Sequence, residues 1–352
     1  MLPYWLLFAL FAIGALFTSG RPAVERNGPT LLFTLACIAT VVMIGFRVDV
    51  GGDRYHYLEF YQRMNLYPLS RAIGMGDPSY ALINWLARRA DLGMWLVNTA
   101  CAVVFVTGLG KFALRQPNPW LAVLIAVPYL IIVVAMGYTR QGAAIGLVMW
   151  GLAAFDRGAV RPFAASVLGA VTFHLTAIAM LPLGIMSVTR NKLVTSLMMI
   201  LLTATLYVVF VQSNIDRLVS NYVVAGYSSQ GALVRVAMNL PPAIIFLSAR
   251  HRFGLSPDSL KLWTNLSLAA LVCLVLLSVS DASTAIDRLA LYIIPLQIMA
   301  LSRLPTIFGR SVPGALLVAA TLVLYSAAIL FVWLNYAQHA FEWLPYRNYF
   351  WA

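Results

Sequence analysis

The chain has 352 residues, of which 61% are hydrophobic and only 10% are charged, and its formal net charge is +12. A soluble domain has about 25% charged residues, so this composition, with a mean hydropathy of +0.84, excludes a soluble globular fold. The basic residues are spread over short segments between apolar runs rather than gathered in one patch, which argues against nucleic-acid binding.

Apolar runs recur along the whole chain, and several reach the roughly 20 residues that a helix needs to cross about 30 Å of hydrocarbon. The sequence therefore predicts an all-α polytopic membrane protein with about 10–12 transmembrane helices, folded as a single domain over residues 1–352. The predicted spans are 3–18, 30–46, 92–110, 119–137, 141–155, 162–188, 194–211, 233–249, 262–280, 288–303 and 313–335.

The segment 162–188 differs from the other spans because basic residues flank it on both sides. Arg157 and Arg161 precede it, and Arg190 and Lys192 follow it. Lys and Arg collect in cytoplasmic loops, so both flanks are predicted to be cytoplasmic. The segment is then a re-entrant or broken helix pair, packed against protein rather than lipid.

The remaining loops divide into two sets by charge. One set holds all three lysines of the chain (Lys111, Lys192 and Lys261) and is predicted to be cytoplasmic. The other set holds most of the acidic residues, and its basic residues are all arginine. This second set places a large loop at about 47–91, a loop at about 212–232 and the C-terminal tail 336–352 on the outer face.

Two polar motifs are predicted to lie on this outer face. The first contains Arg47, Gly52, Asp53 and Tyr57, where the glycine permits a tight turn and leaves room for a ligand; an ordinary solvated loop is the alternative. The second is the start of a helix at Arg140 and Gln141. An arginine between apolar runs costs at least about 2.5 kcal/mol unless it is paired or hydrated, so Arg140 is either a snorkelling anchor or a ligand-binding residue.

His174 lies at the predicted turn of the 162–188 pair, within apolar sequence. A histidine of this kind is more often a hydrogen-bonded core residue than a catalyst. Its predicted depth in the membrane nevertheless makes it a functional-site candidate.

Arginines and tyrosines gather on the outer face. The arginines are Arg47, Arg140, Arg235, Arg288 and Arg347. The tyrosines are Tyr55, Tyr57, Tyr61, Tyr67, Tyr222, Tyr227, Tyr346 and Tyr349. Arginine suits bidentate binding of phosphate or carboxylate, and tyrosines either form an interfacial belt or stack on sugar rings. Asp287 beside Arg288 is either part of this site or a helix-start carboxylate.

Several kinds of site are missing from the sequence. It has no Walker loop, no dinucleotide-binding glycine motif after a strand, and no Cys/His cluster with metal-ligand spacing. We therefore expect no metal and no cofactor. A substrate that arrives already activated, such as a lipid pyrophosphate, would fit the arginines.

The order of these motifs resembles the EpsG family of Wzy-like polysaccharide polymerases. The matching elements are Gly52-Asp53 with Tyr57, Thr139-Arg140-Gln141 followed by Ala143-Ala144, Phe173-His174 with Thr176-Ala177, Arg235 ahead of Pro241, Arg288 with Tyr292, and Pro345-Tyr346-Arg347-Asn348-Tyr349. Thr176 stands where a serine is common, and Tyr138-Thr139 where Phe-Ser is common.

The resemblance implies a multi-pass enzyme of the bacterial inner membrane that joins oligosaccharide repeat units of an exopolysaccharide, capsule or O-antigen. It would transfer the glycan from undecaprenyl diphosphate to the non-reducing end of another lipid-linked unit at the periplasmic face. Such a glycosyltransferase needs neither nucleotide sugar nor metal, and a flippase and a chain-length regulator are the expected protein partners.

The residues suggest a division of roles within such a site. Arg140, Arg235 and Arg288 would hold the donor diphosphate. His174 or Asp53 would accept the proton of the acceptor hydroxyl, and neutral imidazole favours His174. The glycan channel would be shaped by Gly51-Gly52, Tyr57, Tyr222 and Arg347. The further substrate-binding candidates are Arg47, Gln141, Asp287, Tyr292 and Tyr346.

Two other functions are compatible with the sequence. An O-antigen ligase would use similar arginines and a histidine but would attach finished chains to lipid A. A flippase for lipid-linked sugars is the second alternative, and it would carry paired broken helices related by an internal repeat. Only one interrupted segment, 162–188, is found in the sequence, which favours the enzyme.

Overall fold

The computed structural model describes residues 1–19, 31–204, 231–279 and 283–350. Within these ranges the chain is helical and contains no strand, apart from one isolated bridge between Arg47 and Asn348. Five of the described helical stretches are long and apolar enough to cross a membrane, and further apolar helices of 10–17 residues accompany them. The predicted all-α polytopic membrane fold is confirmed.

The helices are numbered in chain order. They are α1 (Leu2–Thr18), α2 (Leu31–Gly45), α3 (Arg54–Arg63), α4 (Leu69–Ala72), α5 (Pro78–Arg89), α6 (Met94–Ala113), α7 (Pro119–Ala126), α8 (Thr139–Phe155), α9 (Val160–Val171), α10 (Met180–Val188), α11 (Lys192–Ala204), α12 (Ala232–Ala237), α13 (Leu240–Ala249), α14 (Pro257–Val279), α15 (Ser283–Ala290), α16 (Ile294–Phe308) and α17 (Val312–Tyr336).

Apart from 162–188, each predicted span corresponds, as far as it is described, to one of these helices or to consecutive helices joined end to end. The apolar stretch that begins with α12 continues through α13 as Ala232–Phe253, and the stretch from α15 continues through α16 as Ser283–Phe308. The large loop at 47–91 is itself helical, because α3, α4 and α5 lie within it. Residues 205–211 of one predicted span lie outside the described residues.

The segment 162–188 is a broken helix pair, as predicted. Helix α9 ends at Val171, residues 172–174 form a turn, and α10 begins at Met180 after a short 3-10 helix. With 12 residues, α9 extends about 18 Å, which is too short to cross about 30 Å of hydrocarbon. Phe163 packs so closely on Gly184 that a side chain there would overlap its ring. The two helices therefore fold back along each other.

Contacts between Cα atoms divide the chain into two compact units. Unit 1 comprises Met1–Trp150, Gly169–Leu175 and Leu301–Ala352, and unit 2 comprises Gly151–Leu168 and Thr176–Ala300. In unit 1, α2 packs on α6 and α1 packs on α7. In unit 2, α10 and α13 pack on α14, and α12 packs on α15.

A stretch of π-helix in unit 1 leads directly to the predicted Arg140 motif. It follows α7 over Val127–Ala135, and every one of its side chains is buried. The wider winding of a π-helix is rare and is usually stabilised by contacts outside the helix. Here the carbonyl of Ile132 accepts a hydrogen bond from the indole nitrogen of Trp343 at 2.8 Å. The chain then bends at Tyr138 before α8 begins.

The C-terminal tail after α17 is bonded to the turn that follows α2. The Gly51 amide donates to the Glu342 carbonyl at 2.9 Å, and the Val48 amide donates to the Arg347 carbonyl at 3.1 Å. Gly51 has φ +112°, and a side chain there would overlap the Met136 carbonyl, so only glycine fits this turn. The tail is therefore an integral part of unit 1.

Tyr346 anchors this tail through its hydroxyl, which donates to the Met43 carbonyl at 2.8 Å and accepts from the Asn348 amide at 2.9 Å. We expect Tyr346→Phe to lower the free energy of unfolding by about 1–2 kcal/mol, because a buried acceptor and donor lose their partner. The measurement is thermal unfolding of the detergent-solubilised full chain. Tyr349→Phe is the matched control, since Tyr349 is 60% exposed on the same tail. Equal losses in the two variants would contradict this role.

Candidate functional site

Arg47 is the most deeply buried of the predicted arginines, with 5% of its surface exposed. Its guanidinium donates to the Ile44 carbonyl, to the Val50 carbonyl at 3.3 Å and to the Thr139 hydroxyl at 2.7 Å. Burial lowers the pKa of Arg47, yet arginine remains charged in proteins. The side chain thus joins the end of α2, the turn after it and the start of α8 around one buried cation.

Arg140 lies next to Thr139 and forms an ion pair with Asp77. The guanidinium nitrogen is 2.9 Å from the Asp77 carboxylate, and the two side chains are 39% and 17% exposed. The guanidinium also lies over two aromatic rings, at 5.7 Å from the centre of Tyr57 and 5.8 Å from that of Tyr80, within the range of cation–π attraction. Arg140 is thereby held in one orientation while part of it remains accessible.

Tyr57 and Tyr80 form an aromatic wall beside Arg140, with ring centres 5.5 Å apart. Burial raises the pKa of both hydroxyls above the ordinary tyrosine value. Both groups therefore stay protonated near neutral pH and are hydrogen-bond donors. Both rings are buried, with 5% and 1% of their surface exposed, so the wall packs against the guanidinium of Arg140 and restricts its orientation.

The turn that carries His174 is bonded to the start of α5, close in sequence to Asp77. The Ser79 amide donates to the Thr172 carbonyl at 2.9 Å, and the two side-chain hydroxyls lie 2.7 Å apart. His174 follows this turn directly and is half-buried. In unit 1 the same segment of chain thus supports the Asp77–Arg140 pair and the His174 turn.

The remaining candidates of the 47–57 motif and the tail lie nearer the surface. Gly52 is exposed and Asp53 is half-buried. Arg347 is exposed, and its guanidinium is 3.9 Å from the carboxylate of Asp49. Tyr346, by contrast, is buried with its hydroxyl committed to the backbone. The tail therefore presents Arg347 rather than Tyr346 outward.

Unit 2 contains a second polar network, formed where α12 and α15 pack together. Arg235 and Asp287 are 2.5 Å apart, with side chains 15% and 12% exposed. Asn239 donates to the Ala290 carbonyl at 3.1 Å and accepts from the Gln297 amide at 2.8 Å. Burial and mutual hydrogen bonding of this kind give the network a fixed geometry.

The structure distributes the predicted site residues over both units. Unit 1 contains Arg47, Gly52, Asp53, Tyr57, Arg140, Gln141, His174, Tyr346 and Arg347. Unit 2 contains Arg235, Asp287, Arg288 and Tyr292. Arg288 is exposed, Tyr292 and Gln141 are buried, and Tyr222 lies outside the described residues.

Four residues that the sequence reasoning missed belong to these networks. Asp77 pairs with Arg140, Thr139 binds Arg47, and Asn239 and Gln297 extend the network of unit 2. The Asp77-Pro78 dipeptide is a sequence signal for a helix start, because proline is favoured in the first turn and a carboxylate before it suits the helix dipole. Thr139 belongs to the Thr139-Arg140-Gln141 motif, but the motif gives it no role, and no comparable signal marks Asn239 or Gln297.

Among the described residues, no three acidic, histidine or cysteine side chains come together in an arrangement that could hold a metal ion.

The Arg235–Asp287 pair is expected to couple strongly because it is largely removed from water. A double-mutant cycle with Arg235→Ala and Asp287→Ala should give a coupling free energy of about 1–3 kcal/mol, measured by denaturant unfolding in detergent micelles. The Arg63–Glu59 pair on α3 is the control, since its side chains are 58% and 56% exposed. Its coupling should be about 0.3–0.5 kcal/mol. A cycle on Arg235–Asp287 no larger than the control would show that the pair is not structural.

Comparison with known proteins gives a match to a family model. The family model described as the EpsG family matches residues 30–348, nearly the whole chain. No curated protein and no solved structure matches the chain. The matched region includes the turn after α2, the start of α8, the broken pair α9–α10 and the tail up to Asn348. The chain therefore belongs to the EpsG family of Wzy-like polysaccharide polymerases.

Proposed function

We propose that the protein polymerises repeat units of an exopolysaccharide, capsule or O-antigen on a lipid carrier. Membership of the EpsG family gives the general role in polysaccharide polymerisation. The carrier we propose is undecaprenyl diphosphate, the acceptor is the non-reducing end of another lipid-linked repeat unit, and the reaction takes place at the periplasmic face of a bacterial inner membrane.

The observation that carries the proposal is the cluster in unit 1 where Asp77 holds Arg140 beside the aromatic wall of Tyr57 and Tyr80. One guanidinium nitrogen donates to the Asp77 carboxylate at 2.9 Å, and the Arg140 side chain remains 39% exposed. Arginine has five N–H donors in a planar fork, so donors remain for an anionic ligand. Such a fork binds the oxygens of phosphates and carboxylates, and the diphosphate of the lipid carrier is the ligand that we assign to it.

In the proposed reaction, an acceptor hydroxyl attacks the anomeric carbon of the donor glycan. The bond between that carbon and the diphosphate oxygen breaks, a new glycosidic bond forms, and undecaprenyl diphosphate departs with the electron pair. Arg140 stabilises the negative charge that develops on this leaving group. The hydroxyl proton passes to the imidazole of His174, which is a base near pH 7; Asp53 is the alternative base.

The other predicted residues are assigned supporting roles. Arg47 is buried and donates only to protein acceptors, so we propose that it positions the start of α8 rather than binding the ligand itself. Gln141 and Tyr346 are likewise buried and would hold this geometry. Gly52, Tyr57 and Arg347 would shape the path of the glycan in unit 1.

In unit 2, Arg288 is exposed on α15, and Arg235 is paired with Asp287. We assign Arg288 to a phosphate or a sugar carboxylate of the lipid-linked glycan. The Arg235–Asp287 pair and the buried Tyr292 would orient α15, on which Arg288 lies. These assignments concern unit 2 by itself.

The distribution of charge supports the proposed periplasmic location. The loops predicted to be cytoplasmic contain all three lysines, and the turn after α2, the loop at 47–91 and the tail belong to the other set. Lys and Arg in short loops favour the cytoplasmic side, which puts Arg140 and His174 on the opposite side. A flippase that supplies the units and a chain-length regulator are the partners that this reaction calls for.

Deletion of the gene in its host tests the reaction class. We expect high-molecular-weight polymer to disappear and single repeat units to accumulate on the lipid carrier in the periplasmic leaflet, seen by gel analysis of extracted polysaccharide and lipid-linked intermediates. Long carrier-linked chains that never reach a final acceptor would instead identify a ligase. Single units trapped in the cytoplasmic leaflet would identify a flippase.

Complementation of the deletion strain tests the residue assignments. His174→Ala and Arg140→Gln should abolish polymer at unchanged protein level, because the base and the leaving-group contact are lost. Arg140→Lys should restore only part of the polymer, since lysine lacks the planar fork. His56→Ala and Arg63→Gln on α3 are the matched controls, both exposed, and should leave the polymer unchanged. Full polymer with His174→Ala would remove His174 as the base.

A further inference from the structure

A cavity of about 410 Å³ lies in unit 1, where α16 ends and α17 begins. It is lined by Ser19, Asn118, Ser302, Pro305, Thr306, Gly309, Arg310, Ser311, Val312 and Ala315. This volume falls in the range of about 300–1,000 Å³ that small-ligand sites occupy. None of these lining residues is acidic.

The cavity lies at the end of unit 1 opposite the Arg140 cluster. Helix α17 begins at the cavity and runs for 25 residues, about 37 Å, before the tail returns to the turn after α2. Helix α1 also extends between these two ends of unit 1. Its first turn places Tyr4 against the Trp343 carbonyl of the tail, whereas Ser19, just after its last turn, lines the cavity. The cavity is therefore separate from the site already described.

Ser302 gives the cavity wall an unpartnered polar group. The residue is fully buried, and its hydroxyl has no hydrogen-bond partner among the described residues. Other helical serines of the chain donate to the carbonyl four residues earlier, as Ser187 and Ser267 do at 2.7 and 2.8 Å. A buried hydroxyl without a partner costs about 1–3 kcal/mol. A ligand oxygen inside the cavity would remove that cost.

Positive charge at the cavity is supplied by two further features. Arg310 is exposed at the rim, and its side chain forms no ion pair or hydrogen bond within the described part of the chain. The amino terminus of α17 also lies here, with Ser311 as its N-cap accepting from the Gly314 amide at 3.2 Å. The start of a long helix favours an anion. The guanidinium of Arg310, the amino terminus of α17 and the Ser302 hydroxyl thus all lie at this cavity.

The surroundings of the rim are apolar and suit a lipid more than a free solute. Phe308, Val312, Leu316 and Leu317 are 43–69% exposed on α16 and α17, which are apolar enough to cross the membrane. Acyl chains lying along this surface would leave their headgroup at the level of Arg310. The distribution of lysines places this end of the protein on the cytoplasmic side, where anionic headgroups attract basic residues.

We propose that this cavity is a binding site for a lipid phosphate, in which Arg310, the start of α17 and the Ser302 hydroxyl hold the headgroup of an anionic phospholipid. The site is distinct from the proposed catalytic cluster and does not depend on it. Its recognition chemistry is that of a phosphate ester, so a free phosphate is the second source of the same ligand group.

Native mass spectrometry of the detergent-solubilised full chain tests this site by titration with palmitoyl-oleoyl phosphatidylglycerol. Palmitoyl-oleoyl phosphatidylcholine is the zwitterionic control, since its phosphate is neutralised by its own quaternary ammonium and its net charge is zero. We expect phosphatidylglycerol to bind preferentially. Arg310→Gln should lower the affinity for phosphatidylglycerol about tenfold, because a charge-assisted contact is lost. Ser302→Ala should lower this affinity by a smaller factor. Thr306→Trp should block binding by filling the cavity. Arg161→Gln, which removes an exposed arginine at the start of α9, should leave the affinity unchanged.

Inorganic phosphate is added in competition to separate the two sources. Displacement of phosphatidylglycerol only at phosphate concentrations far above the lipid concentration would support the lipid as ligand. Phosphate binding without any preference for phosphatidylglycerol would support a soluble phosphate ester in the same cavity. Equal binding of the two lipids without any phosphate binding would overturn the proposal, as would binding that survives both Arg310→Gln and Thr306→Trp in folded protein.

Discussion

The burial of the Arg47 cation is the constraint on which the arrangement of unit 1 depends. Removing a guanidinium from water costs several kcal/mol even after relaxation, and no carboxylate of the described residues pairs with this one. The cost is offset only because its donors reach the Ile44 and Val50 carbonyls and the Thr139 hydroxyl together. Those groups come from three segments that would otherwise be free to move, so the cation fixes the start of α8 and thereby the position of Arg140.

The architecture was predictable from the sequence because a membrane imposes simple rules on a chain. Apolar runs of sufficient length marked the spans, and α6, α14 and α17 lie where those runs lie. The broken pair α9–α10 was predictable for a different reason, namely the basic residues on both sides of it. A helix of 12 residues is too short to cross the hydrocarbon of a membrane. The flanking charges and the helix length therefore both indicate a broken pair rather than one membrane-spanning helix.

The contacts that complete the candidate site were not predictable in the same way. The Asp77–Arg140 pair joins residues 63 positions apart, and the Tyr4–Trp343 hydrogen bond joins residues 339 positions apart. Local periodicity carries no information about such pairs. The sequence identified Arg140 and His174 as polar residues in apolar surroundings, where burying them costs free energy. It did not identify the groups that offset this cost. Tyr346 shows the same limit, because its place in the motif did not reveal that its hydroxyl binds the Met43 carbonyl.

The pairing of Arg140 with Asp77 bears on how the cluster would act on an anion. The Asp77–Arg140 ion pair is formally neutral, so it alone would attract a diphosphate only weakly. Its chief effect is to hold the guanidinium in one orientation. Arg47 lacks such a carboxylate and donates to the side chain next to Arg140 in the sequence. Its uncompensated charge adds a positive potential in a region of low dielectric constant, where charges act over longer distances than in water. Orientation by Asp77 and net charge from Arg47 are thus separate contributions, and an anion that enters beside Tyr57 would meet both of them.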